Sequence, residues 1–146
     1  MSGTISVADL ERLGACETQV EGFRRTFPAG YNGVTVTVEN VLKAQKAGLG
    51  LHWLGQTIFT TPAYVEYKRV LGAAWEAYTA VQIPAWDKYE RLLTRIPKAS
   101  KWTIGVGLVV YNRIENAAGE KYHLAEATAW VAAYEASVEV AGKGDK

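Results

Sequence analysis

Residues 62 to 94 write one eleven-residue phrase three times: PAYVEYKRVLG, AAWEAYTAVQI and PAWDKYERLLT. No other feature restricts the fold as strongly. At about 100° per residue, eleven residues complete three helical turns plus about 20°. Equivalent positions therefore return to nearly the same face, and the repeat is helical by arithmetic. Trp53, Tyr64, Trp75 and Trp86 form one column, Tyr67, Tyr78 and Tyr89 a second, and Val70, Val81 and Leu92 a third. Within each copy the columns fall at i, i+3 and i+6, which with Leu71 and Leu93 makes one broad apolar stripe. Glu66, Lys68, Glu76, Asp87 and Glu90 take the other side, and Arg69 and Arg91 share a column at the stripe's edge.

Proline qualifies this reading. Pro62 suits a helix start, where its missing N–H has no partner to lose. Pro84 inside a helix forfeits a hydrogen bond and clashes with the preceding turn, at a cost of about 3 kcal/mol. The sequence therefore predicts one helix from about Pro62 to Val81, a break or sharp kink near Ile83, and a second helix from about Pro84 to Ile96. The middle copy replaces charged places with Ala77 and Ala80 and the leading proline with Ala73, which predicts that it is more buried than its neighbours.

Upstream, Ser6 is placed to cap a short helix carrying Leu10 and Leu13, which Gly14 ends. Val20, Phe23 and Phe27 mark a second helix from Cys16, closed by the breakers from Pro28 to Gly33. Residues 34 to 38 alternate like a short strand, and Thr37 caps a helix that Gly48 closes; Leu51, Leu54 and Ile58 give one more. Downstream, residues 102 to 111 also alternate, a candidate β element weakened by Gly105 and Gly107, before a long helix from Glu120 to Val140. The fold class expected is mainly α, a bundle of short and medium helices. One domain spans 1–146, with a small helical module over 1–60, the repeat over 62–96 and a C-terminal segment over 99–141.

Charge and composition narrow the function. Sixteen Lys and Arg against fifteen Asp and Glu leave a formal charge of +1, so no large field draws duplex nucleic acid or an anionic membrane. The single Cys16 gives no disulfide framework, and no apolar run is long enough to span a bilayer. The expectation is a protein of a reducing cytosol without membrane attachment.

Catalytic, cofactor and metal motifs are not found. His52 and His123 lack ligand-spaced partners beyond a Glu120-x-x-His123 pair, and Cys16 at a helix start reads as a structural residue rather than a nucleophile. Gly105-Val-Gly107 and Gly48-Leu-Gly50 lack the third glycine of a dinucleotide loop. Glu66, Asp87 and Glu90 each have a basic neighbour on the same helix and read as a solvated face. No metal, cofactor or catalytic residue is assigned, and the chain is read as a non-enzyme. Aromatic and basic residues interleave at Tyr67, Lys68, Arg69, Lys88, Tyr89 and Arg91, residue types that dominate protein-binding hot spots. These six are the candidate partner-binding residues. Stacking on single-stranded nucleic acid is the alternative use of the same pattern.

The stretch from Leu13 to Leu54, with A-C-x-x-Q-V-x-x-F-R-x-x-F-P and V-T-x-E-N segments, followed by P-A-x-x-E-Y-x-R-V copies, resembles uncharacterised proteins of phages and prophages. The resemblance covers roughly residues 13 to 94 and implies a mobile-element origin. Small phage proteins without enzyme motifs often inhibit host defence, as anti-CRISPR proteins do, by binding a host protein complex such as a CRISPR-Cas effector subunit. The resemblance therefore points to an inhibitor; a self-associating phage assembly protein and a single-strand-binding accessory are the alternatives.

Overall fold

The computed structural model describes residues 3–95 and 101–143. The chain is mainly α-helical, with a two-stranded sheet and six α-helices among the described residues. Strand β1 (Thr4–Ile5) pairs antiparallel with β2 (Val34–Thr35), in the register Thr4 to Thr35 and Ile5 to Val34. Helices α1 (Val7–Arg12), α2 (Glu17–Thr26), α3 (Val38–Lys46) and α4 (Leu51–Ile58) complete an N-terminal module. Two long helices follow, α5 (Thr61–Arg95) and α6 (Lys101–Lys143).

Local chemistry accounts for the short helices. Ser6 Oγ accepts from the Asp9 N–H at 3.2 Å while Asp9 Oδ2 accepts from the Ser6 N–H at 3.0 Å, so two orphan donors are satisfied reciprocally. The Ser6 hydroxyl, which donates to Asp9 Oδ2 at 2.6 Å, and then the Ser6 N–H hold the Asp9 carboxyl below the usual carboxylate range. Thr37 Oγ1 accepts from the Asn40 N–H at 3.2 Å and starts α3. Gly14 (φ 84°) and Gly48 (φ 73°) then turn the chain out of α1 and α3 in the left-handed region that side chains resist.

The module closes over one end of the long pair. Val7, Leu10, Val20, Phe23, Val41, Leu54 and Phe59 gather around Trp130 of α6, which is 1% exposed. The Trp130 indole N–H donates to the Leu51 carbonyl at 3.0 Å, and the Thr60 N–H donates to Ser137 Oγ at 2.9 Å. This core draws on α5 only as far as Leu71 and on α6 only from Ala127 onward. Beyond those points, apart from the Gln45 hydrogen bond to Glu126, α5 and α6 pack chiefly on each other.

Three expectations are corrected. Helix α5 runs unbroken through Pro84. Pro84 and Ile83 both lie on the exposed side, so the lost N–H leaves only the solvent-facing Ala80 carbonyl without its helical partner, while Tyr78, Ala85 and Tyr89 hold the other side against α6. Residues 102–111 are helix, not strand. Their alternation is incidental to an apolar segment that shows Gly107 to α5, where a Cβ would collide with Leu92 and approach Tyr89. The middle copy is not buried: Ala73, Ala77 and Ala80 are exposed and Trp75 is 52% exposed. The strand expected over 34–38 reduces to Val34–Thr35. The helix end expected at Ile96 lies outside the described residues.

Candidate protein-binding surface

The repeat exists to build the α5–α6 pair. Tyr67, Tyr78 and Tyr89 form the column that faces α6. The Tyr67 hydroxyl reaches Glu126 at 3.4 Å, the Tyr78 hydroxyl reaches Glu115 at 3.5 Å, and the Tyr89 ring stacks on Tyr111 with centroids 5.8 Å apart. Helix α6 answers in the same period: Tyr111 and Tyr122, Glu115 and Glu126, and Ala118 and Ala129 each stand eleven apart. Small residues on α6 admit the aromatic rings of α5, and each tyrosine finds a carboxylate or a second ring. Burial, and then Glu126, raises Tyr67 above the ordinary tyrosine range; burial and Glu115 raise Tyr78, and burial and Glu126 raise Tyr122.

The tryptophan column sits at the edge of this seam. Trp75 packs edge-on against Tyr122 at 5.7 Å and Trp86 against Tyr111 at 5.3 Å, yet both remain about half exposed. Toward the far end, Trp102 is 77% exposed, and Val106, Leu108, Val109 and Val110 are exposed around α6. No charge occurs from Trp102 to Asn112, so this segment is apolar all round. A helix of that kind is ordinarily covered. No helix among the described residues is long and apolar enough to cross a membrane.

The six residues chosen from sequence do not converge. Tyr67 is 1% exposed and Tyr89 is half-buried, because their column belongs to the seam with α6; Tyr67 in particular has no surface to offer a partner. Arg69 is exposed and pairs with Glu66 through two hydrogen bonds of 2.8 and 2.6 Å on its own helix. Lys68, Lys88 and Arg91 are exposed, but Lys88 follows Lys68 by about 200° of helix rotation, so the two stand on opposite flanks. The exposed tryptophans and valines, Trp75, Trp86, Trp102, Val106, Val109 and Val110, present more apolar surface than these six. The signal for them lay in the uncharged run from Trp102 and in the alanines of the middle copy.

The remaining chemistry-bearing residues are dispersed. His123 Nδ1 lies 3.8 Å from Glu126, whose carboxylate also accepts from Gln45 Nε2 at 2.7 Å, and His52 contacts the Tyr64 ring. Cys16 is exposed at the N-cap of α2. Among the described residues no three His, Cys, Asp or Glu side chains gather as a metal site. Comparison of the chain with family models, curated proteins and solved structures gives no match.

Proposed function

We propose that this chain is a non-enzymatic protein-binding protein of mobile-element origin that inhibits a host defence complex by covering one of its subunits. The observation that carries the binding role is the far half of the α5–α6 pair, where Trp75, Trp86 and Trp102 stand exposed among valines and leucines. Exposed apolar patches of this extent mark interaction surfaces, and tryptophan is enriched among the residues that dominate binding energy. The choice of a defence complex such as CRISPR-Cas, and of the bacterial cytoplasm as its compartment, rests on the sequence resemblance. The experiment is capture from host lysate with the tagged full chain, using Trp102→Ala and Trp86→Ala. Trp102 is 77% exposed, so its truncation leaves the fold in place. Capture of a nuclease effector subunit falls by about tenfold or more, as for a hot-spot residue. Equal capture by the variants, or no effector captured from any of several hosts, overturns the reading.

A further inference from the structure

A second surface lies on the other flank of the long pair. Ala74, Ala77 and Val81 of α5 and Ile114, Ala117 and Ala125 of α6 line an open apolar groove between the two helices. The hydrogen bonds between the N-terminal module and the pair, at Tyr64, Glu126, Trp130, Tyr134 and Ser137, all avoid this groove, and Ala77, Val81, Ile114 and Ala117 on its walls are exposed. Val81 is 47% exposed, Ile114 37% and nearby Val110 52%. This is where the repeat loses its charges. The fifth place of the phrase reads Glu66, Ala77 and Lys88, and the eighth reads Arg69, Ala80 and Arg91. Ala77, which lines the groove, would suit a covered position, yet none of the described residues covers it.

We infer that the groove seats a second copy of this chain, packed antiparallel across a two-fold axis level with Ala77. Three observations select that occupant. An isologous contact pairs residue i with j and j with i. With the axis at Ala77, Glu66 of one copy meets Lys88 of the other, and the reverse pair forms at the opposite end, since both lie eleven residues from the axis. Along the helix that places each ion pair about 16 Å from the axis. The α5 side of the centre is small and apolar around Ala77 with Glu66 and Lys88 outside it, as in the core-and-rim pattern of interfaces, and Lys121 is the one charged side chain on the groove's α6 wall. Glu66 is 60% exposed, so its ion pair with Arg69 is weakly held and does not prevent it turning to a partner's lysine.

The area also suffices. The span from Glu66 to Lys88 is about 33 Å, and two helices side by side are roughly 20 Å wide. The footprint of roughly 650 Å² approaches the ~800 Å² per partner of a standard stable interface. A formal charge of only +1 per chain leaves no long-range repulsion between copies. At the α6 edge Lys121 and Arg113 are exposed. The dimer face lies opposite the tryptophan edge, so the copies leave Trp75 and Trp86 free.

Sedimentation equilibrium of the full chain, from about 1 to about 100 µM, tests this. The wild type is dimeric in that range, and added salt weakens the dimer by no more than the about two- to tenfold that its rim ion pairs supply. Ala77→Glu, at an exposed position that a monomer tolerates, weakens dimerisation by about tenfold or more with helicity unchanged by circular dichroism. Glu66→Lys or Lys88→Glu alone weakens it about two- to tenfold, and the double exchange restores it. A monomeric wild type at the highest concentration, a dimer indifferent to Ala77→Glu, or a double exchange no better than either single change overturns the proposal. Co-sedimentation of a monomer with phosphatidylcholine vesicles would assign the groove to a lipid surface instead. None of these readouts uses host lysate, so failure here is separable from failure of the inhibitor reading.

Discussion

Replacing Pro84 by alanine should make this protein more stable. Helix α5 already runs from Thr61 to Arg95 across that position, so Pro84→Ala asks for no change of fold. It restores an N–H for the Ala80 carbonyl and removes the clash of the ring with the preceding turn. A proline in a helix interior is about 3 kcal/mol less favourable than alanine. Against that gain, alanine frees the unfolded chain, which offsets about 0.4–1 kcal/mol. Pro84 lies on the exposed side, and the contacts of Trp86 with Tyr111 and of Tyr89 with Tyr111 are unaltered, so no packing term enters within one chain. The net expectation is about 2 kcal/mol. At roughly 2–4 °C per kcal/mol for a chain of this size, Tm rises by about 4–8 °C. Urea unfolding should show a higher midpoint with an unchanged slope. A lower midpoint would mean that the proline supplies a bend the fold requires, and an unchanged one would mean that the helix is interrupted near Ile83; either refutes the reasoning.

Trp130→Ala removes a side chain that is 1% exposed together with its hydrogen bond to Leu51. It should cost about 3–5 kcal/mol and loosen α1 to α4 from the long pair, seen as a lower urea midpoint. Tyr67 is held above its ordinary range by burial and then by Glu126. Its folded state therefore keeps the proton more tightly than the unfolded chain does. The resulting stability is complete below about pH 10 and is lost as pH rises beyond it, and Tyr78 and Tyr122 act in the same direction. The urea midpoint should fall as pH rises from about 10 to about 12, and less steeply in Tyr67→Phe.

The short helices were legible because their signals are local. Ser6 with Asp9, Thr37 with Asn40, Gly14 and Gly48 act within a turn of themselves, and the structure uses each as the sequence implies. The tyrosine column was legible as a stripe, but its counterpart was not. Tyr111 and Tyr122, with Glu115 and Glu126, repeat in α6 without the prolines and tryptophans that made the first repeat conspicuous. Pro84 was misjudged because its cost was weighed locally, whereas packing against α6 on both sides of it sustains the helix. Residues 102–111 were misjudged because valine and glycine carry opposing local preferences, and only the approach of Leu92 and Tyr89 explains Gly107. The alanines of the middle copy signalled coverage, and the sequence could not say that this chain leaves them uncovered.

The central claim is that the far half of the α5–α6 pair is a binding surface rather than the protein's own core. Amide hydrogen exchange of the full chain, compared between dilute and concentrated solution and with host lysate fractions, tests it most directly. The account predicts slower exchange at high concentration or with partner in peptides from 72–95 and 101–124, while peptides from α1 to α4 are unchanged. Exchange in those segments that is indifferent to both, or protection confined to the N-terminal module, would contradict it.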